Sequence, residues 1–290
     1  MPRIGIIGGS GLYDIEGLKN KKWIKINTHF GDPSDEYLVG ELNGEEVVFL
    51  PRHGRGHKMM PSELNYRANI FGMKKLGVQW LISISAVGSF KKEIKPLDIV
   101  VIDQFVDRTN QARKMTFFGD GVVAHIAFAE PICSVLSDIL YSTAKKLAVK
   151  NNITVHKGGT YINMEGPAFS TEAESFLYKS WGMDVIGMTN MPEAKLAREA
   201  EMCFATLAMV TDYDAWYEEE SVVTVDVIIQ NLKKNIKVVK DLIEDVVPLI
   251  PKERNCLCAD ALKNAIITSA DIIPEKRKKE LQIIIGKYIV

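Results

Sequence analysis

The sequence has 290 residues, of which 47% are hydrophobic and 25% are charged. These proportions are typical of a globular chain with a large core, and they exclude a disordered or fibrous protein. The net charge is −1, so no basic field favours nucleic acid or an anionic membrane as a partner. The chain begins with too many glycines for a signal peptide, and no apolar run approaches the ~18 residues of a membrane helix. We therefore predict a cytoplasmic protein.

The first predicted strand, at residues 3–7, runs into a glycine-rich loop at 8–11. Glycines let backbone amides approach an anion closely, and a hydroxyl adds a donor, so Gly8 and Ser10 are candidates for binding phosphate. The loop matches neither the dinucleotide fingerprint nor the P-loop. An ordinary tight turn is the alternative.

The next two predicted strands also end in candidate site residues. A strand at 45–50 leads into Arg52 and His53, which suit an oxyanion because a guanidinium binds it bidentately and an imidazole adds a directed donor. A solvated basic turn is the alternative. After a helix predicted from 61 to 76, the apolar run 78–84 is typical of a central parallel strand. We predict that it ends in a loop of small residues that contains Ser85 and Ala86.

The middle of the chain is less informative. A strand is predicted at 97–102, a polar loop at 103–121 and a helix at 131–149. His125 lies in an apolar segment, where a histidine is normally buried in a core or an interface. A strand at 157–164 leads to Phe169 and Ser170, and Thr171 is a candidate cap for the helix that follows.

Residues 184–216 predict a strand, a helix opened by Pro192 and a second strand at 204–210. Thr189 follows the first of these strands, and Asp212 and Asp214 follow the second. Ligands of open α/β sheets bind at the carboxyl ends of strands, so two acids there indicate a site. A long amphipathic helix is predicted at 224–247. No linker or repeat interrupts the chain, and we predict one α/β domain over residues 1–290.

The loops after these strands offer two kinds of chemistry. Amides, hydroxyls, a guanidinium and an imidazole together fit inorganic phosphate or a phosphate ester. Asp212 and Asp214 could accept a hydrogen bond from an exocyclic amine and, when protonated, donate to a ring nitrogen. Phe169 could stack on a flat ring. A phosphate pocket beside a heterocycle pocket is what a nucleoside phosphorylase needs.

The chain resembles the trimeric-type purine nucleoside phosphorylases in a series of motifs that follow the order of that family. The matching segments are residues 4–11, 51–54, 65–70, 85–89, 129–131, 165–167, 188–193 and 211–216. The resemblance implies a single domain with a central mixed β-sheet or distorted barrel flanked by helices. It also implies assembly as a homotrimer or a homohexamer.

The resemblance further implies a role for each motif residue. The phosphate set would be Gly8, Ser10, Arg52, His53, Ser85, Ala86 and Thr189. Met188 would lie under the ribose, and the base site would contain Phe169, Ser170, Asp212 and Asp214. The apolar 5' pocket would be lined by Val225, Ile228 and Ile229, with His125 contributed by the neighbouring subunit.

The reaction implied is phosphorolysis of S-methyl-5'-thioadenosine to adenine and 5-methylthioribose 1-phosphate. Inorganic phosphate is the co-substrate, and neither a metal nor an organic cofactor is required. The Asp-x-Asp pair suits a 6-amino group, whereas adenosine, inosine and methylthioinosine are alternative substrates. A nucleotide-binding sensor that kept the pocket without turnover is the alternative from another class.

Four cysteines, Cys133, Cys203, Cys256 and Cys258, are too few for a disulfide scaffold. Zinc sites usually have two separated pairs with wider spacing, so we predict no metal site here. Buried thiols and two disulfide bridges both remain open. Similar C-x-C pairs in heat-adapted members of the resembling family favour bridges from Cys133 and Cys203, each to one member of the pair.

Overall fold

The computed structural model describes residues 3–9, 11–12, 14–110, 113–217 and 225–289, without the side chains of Val225 and Val227. These residues form an α/β domain in which a mixed sheet lies between layers of helices, as the sequence predicts. Within the described ranges, no helix is both long and apolar enough to cross a membrane.

The described strands join in one sheet. Their bounds are β1 (Arg3–Gly8), β2 (Lys19–Ile24), β3 (Tyr37–Leu42), β4 (Glu45–Pro51), β5 (Val78–Ser89), β6 (Ile99–Val101), β7 (Gln104–Arg108), β8 (Val155–Lys157), β9 (Thr160–Met164), β10 (Val185–Gly187) and β11 (Cys203–Tyr213). The main path runs β2-β3-β4-β1-β5-β10-β9-β7, and β11, β6 and β8 branch from β5. This branched sheet, with parallel and antiparallel pairs, is the mixed sheet flanked by helices that the resemblance implies.

Strand β5 is the branch point, and its pairing opens a gap in the sheet. Along one edge it pairs with β11 from Trp80 to Ser89. On its other edge, β1 runs parallel to it only as far as Ser83, and β10 pairs with it only at Gly88 and Ser89. On this edge of β5, residues 84–87 therefore lie in a gap between the end of the pairing with β1 and the start of the pairing with β10. Such a divergence at the carboxyl ends of strands is where α/β sheets bind ligands.

Helices cover both faces of the sheet. Their bounds are α1 (Tyr66–Lys75), α2 (Ser134–Asn151), α3 (Glu172–Ser180), α4 (Asn190–Glu199), α5 (Val225–Val246), α6 (Glu275–Glu280) and α7 (Gln282–Ile285). Short 3₁₀ helices lie at Pro61–Glu63, Val247–Leu249 and Leu257–Asp260. Because side chains alternate along a strand, Trp80 and Ile82 of β5 pack on the core that contains α2 and α5, whereas Leu81 packs on the core that contains α1 and α4.

Most predicted elements are confirmed with shifted ends. The strands at 3–7, 45–50, 97–102, 184–188 and 204–210 correspond to β1, β4, β6, β10 and β11, and the helices at 131–149 and 224–247 correspond to α2 and α5. The Thr171 cap is also confirmed, since its hydroxyl accepts from the Glu174 amide at 3.2 Å. The strand at 157–164 is two strands, β8 and β9, with a break at Gly158 and Gly159.

Three predictions are wrong for identifiable reasons. Residues 85–89 are not a loop, because β10 and β11 pair with them and keep them in β5. Part of the predicted loop at 103–121 is the strand β7, which pairs with β9. The helix predicted from 61 to 76 is interrupted where Leu64 is extended, and Asn65 caps α1 by accepting from the Ala68 amide.

Candidate active site

A cavity of about 800 Å³ lies at the gap beside β5. Its wall is built from the carboxyl ends of β4, β5, β10 and β11 and from one face of α5. The predicted site residues that line it are Arg52, His53, Ser85, Ala86, Phe169, Met188, Thr189, Asp212, Asp214, Ile228 and Ile229. The size and the mixed polar and apolar wall suit a small organic ligand.

Other predicted residues lie elsewhere. Gly8 lies behind the wall, where its carbonyl accepts from the Arg52 amide at 2.9 Å, and its neighbour Gly9 lines the cavity. Ser170 lies close to Asp214 without lining the cavity. His125 is exposed and does not line the cavity of its own chain. Ser10 and the Val225 side chain lie outside the described residues.

Arg52 is buried, with 2% of its surface exposed, and its guanidinium is bound by the protein itself. Its Nε lies 2.6 Å from Glu193 Oε1, and one terminal nitrogen lies 3.1 Å from Glu193 Oε2. Glu193 is fully buried in α4. Burial alone would lower the pKa of Arg52, but the Glu193 carboxylate outweighs this and raises it. Arg52 therefore remains protonated, and Glu193 neutralises its charge at the cavity wall.

A buried polar network extends this ion pair. Arg52 donates to the Ser83 hydroxyl at 2.7 Å and to the Ile84 carbonyl at 2.8 Å, in the gap that β1 leaves beside β5. Ser83 also donates to Glu193 at 2.9 Å and accepts from the Asn190 amide at 3.1 Å. Buried charges persist only when their hydrogen-bonding groups are satisfied. The network thus ties β4, β5 and α4 together behind the cavity.

His53 is neutral near pH 7. Its Nδ1 lies 2.9 Å from the Met59 carbonyl, which fixes that nitrogen as the donor. Burial, with the Arg52 charge as a further cause, lowers its pKa to about 4. The ring stacks on His57 with 4.5 Å between centroids. Nε2 is therefore an acceptor near neutral pH and becomes a donor only when a proton is taken up.

Hydroxyls complete this end of the cavity. Ser85 Oγ lies 3.3 Å from Thr189 Oγ1 and 3.1 Å from the Tyr161 hydroxyl. The Tyr161 ring reaches this position because residue 187 is glycine: a Cβ there would lie 1.9 Å from its hydroxyl oxygen. Ala86, which follows Ser85 in β5, is exposed within a strand that is otherwise mostly buried. This end offers hydrogen-bond donors to an anion.

The two acids are positioned by a bulge in β11. The register with β5 passes from Val210 and Val87 to Asp212 and Gly88, so Thr211 is the extra residue. From α5, Asn231 donates to the Thr211 carbonyl at 2.7 Å. A bulge re-aims side chains, and here both Thr211 and Asp212 line the cavity. Gly88 leaves room for the Asp212 carboxyl, since a Cβ there would lie 3.3 Å from its Oδ2.

Asp214 differs from Asp212 in its surroundings. Only 9% of Asp214 is exposed, and its Oδ2 is buried without a hydrogen-bond partner among the described residues. Burial raises its pKa, whereas the nearby hydroxyls of Ser175 and Ser170 oppose the rise. Asp212 is half-buried, and the Thr211 hydroxyl lies 2.5 Å from its Oδ1. Burial therefore makes Asp214 keep its proton to a higher pH than an exposed aspartate does.

Arg113 is a positioning residue that the sequence did not reveal. Its guanidinium donates to the carbonyls of Met188 and Met191, each at 2.7 Å, and to Glu165 Oε1 at 3.0 Å. It therefore holds the segment with Met188 and Thr189 against the loop that precedes Phe169. Its position in a polar stretch gave no signal, because its partners are mostly backbone carbonyls.

The remaining wall is apolar. Ile228, Ile229, Leu232 and Ile236 of α5 face the cavity together with Leu12 and Met209. Ile229 is 41% exposed, at the mouth of the cavity. The cavity therefore has a hydroxyl-rich end, a carboxyl pair and an apolar side, and it can bind a ligand with the corresponding three parts.

Comparison with known proteins gives a family for this fold and site. The family model of the phosphorylase superfamily matches residues 3–248. The S-methyl-5'-thioadenosine phosphorylase of Geobacter sulfurreducens is 58% identical over 286 residues, which cover 99% of both chains. That of Koribacter versatilis is 53% identical over 98% of this chain and 96% of its own. The chain therefore belongs to the phosphorylase superfamily and, within it, to the family of the S-methyl-5'-thioadenosine phosphorylases.

Solved structures agree with this assignment. A methylthioadenosine phosphorylase from an antarctic soil metagenomic library superposes with a TM-score of 0.93 at 47% identity, with 98% of both chains covered. A mutant of the adenosine/methylthioadenosine phosphorylase of Schistosoma mansoni, in complex with adenine, gives a TM-score of 0.82 at 37% identity. It covers 88% of this chain and 93% of its own.

The first prediction concerns the buried ion pair. Glu193→Gln keeps the side-chain shape but leaves the Arg52 charge buried without a counterion, so the free energy of unfolding should fall by about 3–5 kcal/mol. Urea unfolding measures this change, and Glu275→Gln, in an exposed pair with Lys278, is the control that should change almost nothing. Equal stability of the two variants would contradict the role assigned to Glu193.

The second prediction concerns His53 and uses sulfate, an anion that does not titrate near neutral pH. In the protein without a bound anion, the pKa of His53 is about 4. If sulfate raises this pKa, sulfate binding tightens as the pH falls from neutrality toward 4. The change can reach about tenfold per pH unit, because the complex then holds one more proton. Calorimetric titration of wild type, His53→Gln and the exposed control His29→Gln should show pH dependence in the first and last. A pH-independent wild type would mean that His53 stays neutral in the complex.

Proposed function

We propose that the chain catalyses phosphorolysis of S-methyl-5'-thioadenosine to adenine and 5-methylthioribose 1-phosphate. The observation that carries the proposal is one cavity with three chemically distinct walls. His53, Ser85 and Thr189 suit phosphate, the Asp212 and Asp214 pair suits an aminopurine, and α5 suits a methylthio group. The names of the relatives from Geobacter sulfurreducens and the antarctic soil library support the same substrate.

The proposed mechanism follows from the charge that develops when the N-glycosidic bond breaks. The sugar becomes cationic and the leaving purine becomes anionic, so both must be stabilised in the transition state. Phosphate bound between Arg52, His53 and Thr189 stabilises the cation and attacks C1'. Met188, held by Arg113, supports the ribose. No metal or organic cofactor enters this scheme.

The purine end needs a proton donor. Asp212 and Asp214 are separated by Tyr213, and burial raises the pKa of Asp214 above that of an ordinary aspartate. We assign the hydrogen bond to N7 to Asp212 and the contact with the 6-amino group to Asp214. Phe169, 57% exposed at the cavity wall, would then close over the base, with Ser170 behind Asp214.

A second candidate substrate is adenosine. The relative from Schistosoma mansoni carries both adenosine and methylthioadenosine in its name. The isoleucines and leucine of the α5 wall suit a methylthio group better than a 5'-hydroxyl. Asn235, a polar α5 residue of the same wall, donates to the Val210 carbonyl at 3.1 Å. Inosine and methylthioinosine are less favoured, because the carboxyl pair is better suited to a 6-amino group than to a 6-oxo group.

The direct test is phosphate-dependent release of adenine. We expect purified protein to cleave methylthioadenosine with a higher kcat/KM than adenosine, inosine or methylthioinosine, and to stop when phosphate is omitted. Tight binding of the nucleoside without turnover would instead identify a sensor and contradict the proposal.

The third prediction concerns Asp212. Asp212→Asn cannot supply the proton to N7, and the loss of one preorganised interaction of this kind typically lowers the rate by ~10²–10³. Steady-state kinetics with methylthioadenosine measure the loss in kcat. Asp138→Asn, a change in an exposed pair with Lys157, is the matched control. Full kcat in Asp212→Asn would remove this residue from the mechanism.

We also propose that the chain assembles as a homotrimer or a dimer of trimers in the cytoplasm, with His125 completing a neighbour's 5' pocket. His125 is exposed, and the segment that carries it is anchored through its amide to the Ala265 carbonyl at 2.8 Å. Val123, 48% exposed, and Ala127 lie on the same exposed side. An apolar strip around one histidine suits a subunit interface. Four free thiols suit a reducing compartment.

The fourth prediction tests the shared site. An inactive Asp212→Asn chain and a His125→Ala chain should regain activity when mixed under subunit exchange, because some sites then combine an intact chain with an intact neighbour. Activity of the mixture against the separate variants is the measurement, with exchange verified by native mass spectrometry. If His125→Ala alone is strongly impaired and no activity returns, His125 acts within its own chain.

A further inference from the structure

The four cysteines converge at one point of the fold. Cys133 is the residue before α2, Cys203 is the first residue of β11, and Cys256 and Cys258 belong to the 3₁₀ turn at Leu257–Asp260. The Cys133 amide donates to the Phe204 carbonyl at 2.8 Å, which fixes the first two segments together. This cluster lies at the opposite end of β11 from Asp212, about 30 Å away along nine residues of strand. It is therefore separate from the active site.

The sulfur atoms form a compact group of four. All four Sγ atoms lie within 4.8 Å of one another. The sulfurs of Cys203 and Cys256 are 3.2 Å apart, well beyond the ~2.05 Å of a disulfide bond. The disulfides predicted from the sequence are thus not formed, and all four cysteines are free. Four thiolates around one tetrahedral ion, with metal–sulfur bonds of ~2.3 Å, have sulfurs ~3.8 Å apart. The observed spacing brackets this value.

The helix that begins beside Cys133 favours a thiolate at that residue. Cys133 lies at the amino terminus of an 18-residue helix, where the helix dipole stabilises negative charge. Cys133, Cys203 and Cys258 are buried, and Cys256 is half-buried. Leu257, between the paired cysteines, is 88% exposed, so the C-x-C turn sends its leucine outward and both sulfurs inward.

We propose that Cys133, Cys203, Cys256 and Cys258 bind a single Zn²⁺ ion in a closed tetrathiolate site. Four protein ligands leave no open position, so the site is structural. Thiolates select soft cations over Mg²⁺ or Ca²⁺, and Zn²⁺ binds more tightly than Fe²⁺ in the usual affinity order. Binding releases the thiol protons to solvent and needs no oxidant. The ion fastens the segment after α5 to β11 and α2.

Metal analysis of the full protein is the first test. Protein purified under reducing conditions should contain one Zn²⁺ per chain and show four thiols after denaturation in chelator. The half-buried position allows Cys256→Ser to fold, and this variant should lose the zinc. Leu257→Ala, at the exposed residue between the ligands, should keep it.

A spectroscopic test does not depend on any variant. Wild-type protein stripped by a chelator should melt at a lower temperature and recover when Zn²⁺ is added. Co²⁺ added instead should give the intense visible absorption of a tetrahedral thiolate site. Failure of the fully reduced protein to take up either ion would overturn the proposal. So would protein isolated from cells under thiol-blocking conditions with two disulfides and no metal.

Discussion

The buried pair of Arg52 and Glu193 is the interaction on which the site depends. It joins the end of β4 to α4, and its guanidinium hydrogen-bonds to the Ile84 carbonyl of β5 where β1 has diverged. Without such a donor, the gap in the sheet would leave buried carbonyls unpaired, which is costly. The sheet can therefore open into a cavity because Arg52 donates to the Ile84 carbonyl in the gap. The same arginine lines the cavity at this point.

This arrangement leaves the end of the cavity that contains Arg52 and His53 nearly neutral. Glu193 compensates Arg52, and burial keeps His53 uncharged. Under the proposed function, affinity for phosphate would come from directed donors, namely Thr189, Ser85 and backbone amides, together with any proton that the anion draws onto His53. A neutral preorganised site avoids the large desolvation penalty of an unpaired buried cation. It also links anion binding to pH through one histidine.

Much of this site was predictable, because polar residues follow apolar runs and parallel strands meet at one edge of a sheet. That rule predicts that Arg52, Thr189 and Asp212 lie together, and all three line the cavity. It could not identify Glu193 or Ser83, since their partners lie far away in sequence and their own surroundings look like helix and strand. It also failed at Ser85 to Ser89, where small polar residues suggest a loop. Two neighbouring strands, known only from the tertiary fold, keep them extended.

The cysteines show the same limit. Their spacing along the chain is unlike that of a zinc motif, yet the fold brings three distant segments to one end of β11. That strand is almost entirely buried from Cys203 to Tyr213 and pairs with β5 along nearly its whole length. A strand so constrained is stiff. The cysteine cluster at its amino end and the bulge at its carboxyl end therefore belong to one rigid element. The Thr211 bulge, clamped by α5, can then hold Asp212 in place, because both the strand and the segment after α5 are anchored at the far end of the sheet.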